Sequence, residues 1–144
     1  MKKIQGFSMV ELMIVIAIIA ILATIALPIL SNNKERAAII ESLNLVGSIK
    51  SNIENDININ KDISQQNYIT PAGITISNGS SSGASININL SQTASRYFSN
   101  PNDIIRLTGV TSSSTFQWKC SHNTNASSLT TSNVPPTCKD TFSN

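Results

Sequence analysis

The chain has 144 residues, two cysteines and one histidine, and only 12% of it is charged and 5% aromatic. That length supports one modest domain. The formal net charge is +2 and disappears without Lys2 and Lys3, leaving eight basic against eight acidic residues, which excludes a broad basic field for holding nucleic acid.

The first quarter is almost entirely Ile, Leu, Ala, Val and Met, whereas 77–133 is rich in Ser, Thr and Asn. One greasy end and one polar end imply a membrane element carrying a water-exposed head. Phe7 to Leu30 contains a single charge, Glu11. As a helix this run would extend about 36 Å, enough to cross a hydrocarbon core of roughly 30 Å. Lys2 and Lys3 before it place the N-terminus in the cytoplasm. A secretory signal peptide fits poorly, because the run is too long, carries a carboxylate and closes on no A-x-A site. A plain single-pass anchor fits the length but leaves Glu11 unexplained. A carboxylate in an apolar span costs about 2.5–3.5 kcal/mol on insertion scales and usually has a partner.

A third reading supplies that partner. Lys2-Lys3-Ile4-Gln5-Gly6-Phe7-Ser8-Met9-Val10-Glu11-Leu12, followed by a long aliphatic stretch, resembles the prepilin signature of type IV pilins. The short leader is similar to the type IVa class. The resemblance implies an α+β fold: a long N-terminal helix, about 7–55, packed on an antiparallel sheet, with a C-terminal disulfide-bounded loop. It implies cleavage by prepilin peptidase between Gly6 and Phe7, N-methylation of Phe7, and pairing of the new amine with Glu11 of a neighbouring subunit. The chemistry is reasonable by position. Gly6 offers its backbone to a protease unobstructed, and the pair neutralises two charges that apolar surroundings would penalise. The alternative for Glu11 is a carboxylate favoured near a helix N-terminus or at the membrane interface. Implied partners are other copies in a helical filament, the inner membrane before assembly, the peptidase, an assembly ATPase with its platform, and a secretin. The implied location is the bacterial inner membrane, then an extracellular pilus.

The same helix is predicted to continue. Ile39, Ile40, Leu43, Val46, Ile49 and Ile53 recur at helical spacing, with Lys34, Glu35, Arg36, Glu41, Lys50 and Glu54 on the other face. The expected divisions are a leader at 1–6, a membrane or filament-core helix at 7–30, an amphipathic helix at 31–55 and a head at 56–144. Pro28 removes one helical hydrogen bond and is expected to kink or open the helix around 24–28. In the family a glycine often precedes this proline, whereas this run has Ala20 and no glycine before Gly47, which suggests a shorter unwinding.

Asn55 to Gly73 reads as an irregular connection. Ile74 to Ser77 is a candidate short strand ending at an Asn78-Gly79 turn. Ser85 to Leu90 alternates with period two, as a half-buried strand does, and Asp103–Val110 and Thr115–Cys120 are two more strands. A sheet this small needs the helix as cover. Cys120 and Cys138, in a segment delivered outside the membrane, read as a disulfide around a loop of small polar residues. Two free buried thiols, or half a metal site with His122, are the alternatives, although the spacing is not that of a zinc site. Trp118-Lys119-Cys120 and Pro135-Pro136-Thr137-Cys138 resemble the type IVa C-terminal region, which implies host-surface or DNA contacts by the head. Asn78-Gly79-Ser80, Asn89-Leu90-Ser91 and Asn125-Ala126-Ser127 match a glycosylation sequon that Ser/Asn-rich sequence produces by chance. His122 is expected alone in a mobile loop. No nucleophile–base set, phosphate loop or metal cluster stands out, so the chain does not read as an enzyme and no cofactor is implied.

Overall fold

The computed structural model describes residues 6–80, 83–112 and 115–143. The predicted leader residues Lys2 and Lys3 lie outside the described residues. Two compact units divide at Asn33/Lys34. Helix α1, Met9–Leu45, runs through that division.

In the first unit the helix is apolar around its whole circumference. Large side chains from Met9 to Leu30 stand exposed, and the stretch is long and apolar enough to cross a membrane. The backbone is helical across Pro28.

The second unit packs helix on sheet. α1 ends at Leu45 and α2, Gly47–Asn58, begins after Val46. Val46 sits at φ −91°, ψ 1°, its N–H donating to Leu43 O at 3.3 Å, so one three-residue turn separates two helices where one to Asn55 was expected. Most of the apolar face survives the break: Ala38, Ile39, Val46, Ile49, Ile53 and Ile57 are buried, whereas Ile40, expected on that face, is exposed. The connection expected as irregular therefore starts only after Asn58, and it contains a 3₁₀ turn at Ile63–Gln65.

Five strands follow among the described residues: β1 Ile74–Ser80, β2 Gly83–Asn89, β3 Ile104–Ser112, β4 Thr115–Asn123 and β5 Asp140–Phe142. They lie in sequence order; the first four form an antiparallel meander and β5 joins β4 in parallel. Period two places rows of inward side chains across the strands. Ile74, Ile88, Ile105 and His122 make one row, and Ile76, Ile86, Leu107 and Cys120 the next. These rows and the helical isoleucines form one core. Each fully buried aliphatic contributes on the order of 1.5–3 kcal/mol.

Three sequence expectations are corrected. Asn78 and Gly79 do not turn the chain; β1 continues to Ser80, absorbing an irregularity of register between Ser77 and Ser80. Leu90 leaves the strand pattern and starts the short helix α3, Leu90–Thr93, because Asn89 caps it by accepting from Ser91 N at 3.0 Å. His122 is not in a mobile loop: β4 runs on to Asn123 and buries the imidazole, since β5 pairs beside Ser121–Asn123.

Candidate assembly site and C-terminal loop

Gly6 and Phe7 precede the first helical turn and are exposed, Phe7 at 89%. Ser8 Oγ accepts from Val10 N at 3.3 Å, and Glu11 Oε2 accepts from Ser8 N at 2.9 Å. This reciprocal pair is a capping box, in which Ser8 and Glu11 each satisfy a backbone donor that the helix start leaves open. Glu11 thus has a local role in the single chain, and the Ser-x-x-Glu spacing was the signal for it. At Pro28 the missing N–H leaves Thr24 C=O without its usual helical donor, while Thr24 Oγ1 donates to Ile21 O at 2.7 Å.

In the head, Cys120 and Cys138 are bonded to each other and no cysteine is free. The free-thiol and half-metal-site alternatives fall together. His122 Nδ1 lies 2.8 Å from the Cys138 carbonyl. A carbonyl only accepts, so Nδ1 carries the proton. Among the described residues no group of three or more His, Cys, Asp or Glu gathers to hold a metal.

Buried polar side chains fix the loop that the disulfide closes. Asp103 is fully buried; its carboxylate accepts from Ser127 Oγ at 2.9 Å, Ser128 N at 2.7 Å and Ser128 Oγ at 2.6 Å. Arg36 Nη2 donates to Ser132 O at 2.7 Å, and Asn133 Nδ2 to Glu35 Oε2 at 2.8 Å, so the loop is tied to α1. Trp118 Nε1 donates to Glu54 at 2.5 Å, Phe116 meets the indole edge-on at 5.2 Å, and Lys50 Nζ stands 5.5 Å from its ring centre. Glu35, Arg36, Lys50 and Glu54, four of the charges read from sequence onto the other face of the helix, therefore hold the head. At the other end of the sheet, Tyr68 donates to Asp56 at 2.6 Å. Burial, then the hydrogen bond to Asp56 and its negative charge, push the phenol far above its ordinary value. Ser64 donates to the Asp62 carboxylate, which lies below its usual range.

A helix long and apolar enough to cross a membrane, and a separate helix-on-sheet unit with a disulfide-closed C-terminal loop, are the parts of a membrane-anchored protein with a water-exposed head. The family described as "PilE, C-terminal" matches residues 33–143, and "Prokaryotic N-terminal methylation motif" matches 1–27. Fimbrial protein EcpC of Eikenella corrodens is 29% identical over 161 aligned residues, covering 97% of this chain and 94% of that protein. EcpB of the same organism is 48% identical over 54 residues, 38% of this chain and 34% of that protein. The solved structure of Francisella tularensis pilin PilE superposes with a TM-score of 0.74 at 66% identity, over 77% of this chain and 97% of that one. The chain belongs to the type IV pilins. It is a structural pilus subunit, held in a membrane by its apolar helix as a precursor and exposed at the cell surface in the pilus.

Proposed function

We propose that prepilin peptidase cuts this chain between Gly6 and Phe7, that the Phe7 amine is methylated, and that copies then polymerise with this amine against Glu11 of a neighbour. What carries the reading is Glu11, the one charge between Phe7 and Leu30. Its capping bond to Ser8 N uses one carboxylate oxygen and leaves the negative charge uncompensated in apolar surroundings. A methylated amine from the next copy compensates it. The partners follow the family: the peptidase, an assembly ATPase and platform in the inner membrane, and a secretin. The filament serves adhesion, twitching motility or DNA uptake through contacts made by the head. The helix near Pro28 opens as copies pack, because the Thr24 carbonyl has no proline N–H to hold it.

Mass analysis of the N-terminus in surface-sheared material tests the processing. The expected result is a chain starting at methylated Phe7, and a chain still starting at Met1 overturns the proposal. Counting copies in the same material separates a major subunit from the rival readings, a minor pilin or a type II secretion pseudopilin, which would be scarce or absent there. A monomeric membrane-tethered binding module would never appear in it as a filament.

A further inference from the structure

The two halves of the disulfide differ in their surroundings. Both cysteines line an open groove of about 310 Å³ with Leu43, Asn44, Lys50, Leu107, Trp118 and Thr137. Cys120 keeps 8% of its surface exposed and Cys138 none. Cys120 sits within β4, opposite Leu107 of β3. Cys138 ends a 3₁₀ turn, its N–H donating to Pro135 O at 2.9 Å and its carbonyl accepting from His122 Nδ1. The Thr137 hydroxyl lies 3.8 Å from Cys138 Sγ.

We propose that this groove is a thiol–disulfide exchange site with a fixed polarity: incoming thiols attack Cys120, and Cys138 is the leaving and resolving cysteine. Both cysteines are buried, and Cys120 is the less covered of the two, so an entering thiolate meets it first. As the new sulfur–sulfur bond forms at Cys120, the Cys120–Cys138 bond breaks and its electron pair goes to Cys138 Sγ. The Thr137 hydroxyl is placed to donate to that thiolate, and the Lys50 ammonium supplies the one positive charge among the groove's lining residues. Neither backbone is released. Strand pairing holds Cys120, and the 3₁₀ turn and His122 hold Cys138, so the freed thiolate stays poised to attack Cys120 Sγ and expel the thiol. Run in the forming direction, a Cys120 thiolate attacks a disulfide donor, Cys138 then displaces the donor's sulfur, and the donor leaves reduced. The donor's surface must offer a small or anionic group to the Lys50–Trp118 mouth.

The test uses the full chain in detergent micelles with reduced glutathione as the anionic probe, quenched with acid and then alkylated with N-ethylmaleimide after denaturation. Fragmentation of the peptide Cys120–Lys139 locates the adducts. Glutathione on Cys120 and maleimide on Cys138, in at least about tenfold excess over the reverse, is expected from selective attack on the less covered cysteine. Lys50→Gln should slow the reaction with glutathione about threefold or more at low salt and leave that with neutral 2-mercaptoethanol less affected, because screening and charge removal act on the same attraction. Adducts on Cys138, an even distribution, or equal rates in wild type and Lys50→Gln would each overturn the proposal.

Discussion

Glu11 combines two roles that single substitutions separate. Glu11→Gln keeps an oxygen to accept from Ser8 N but loses the charge, whereas Ser8→Ala loses part of the cap and keeps the charge. If the charge drives assembly, Glu11→Gln should abolish or severely reduce sheared filaments while the protein stays in the membrane fraction. Ser8→Ala should cost about 0.5–2 kcal/mol of helix-end stability yet still yield filaments; immunoblots of the two fractions read both results. Asp103→Ala leaves three donors, two hydroxyls and the Ser128 N–H, without their buried acceptor. A loss of about 3 kcal/mol is expected, measured by chemical denaturation of the head's tryptophan signal. Tyr68 gives the pH dependence. Its folded value is raised, so its contribution is complete below the unfolded phenol value near ~10 and is lost as pH rises beyond it. Absorbance titration should show one late-ionising tyrosine, and Tyr68→Phe should remove that component.

At the scale of elements, the break between α1 and α2 is set locally at Val46 and Gly47. A Cβ on Gly47 would meet nothing within 4 Å, and Gly47 is not among the positive-φ glycines. Gly47→Ala should therefore stabilise the head by about 0.5–1 kcal/mol, seen as a raised thermal midpoint. Gly109 is the opposite case. A Cβ there would collide with the Phe116 ring and crowd the Trp118 ring, so this glycine makes room for the edge-on aromatic pair. β2, β3 and most of β4 were legible because alternation is local. β5 was not: three residues carry no period, and Asp140–Phe142 becomes a strand only because Cys138 delivers it beside Ser121–Asn123. α3 was missed because the strand-like alternation of Ser85–Leu90 hid the Asn89 cap.

In the whole molecule, the disulfide joins the end of the meander to the C-terminal segment across a sequence separation of 18. Replacing both cysteines by serine should cost about 3 kcal/mol by the chain-entropy argument, a fall in Tm of about 12 °C or more for a head of this size, followed by calorimetry of the full chain in detergent. The sequence alone determined the apolar helix, its lone acid and the amphipathic continuation. Each of these rests on composition or on a period shorter than two helical turns, which no distant residue can alter. The tertiary structure decided the rest. It buried His122 in a row of isoleucines, wrapped Asp103 in the serines of a loop 24 and 25 residues away, turned Glu54 onto Trp118, and laid β5 parallel to β4. Those outcomes depend on which distant groups can satisfy one another once water is excluded, and the order of residues along the chain does not contain that information in local form.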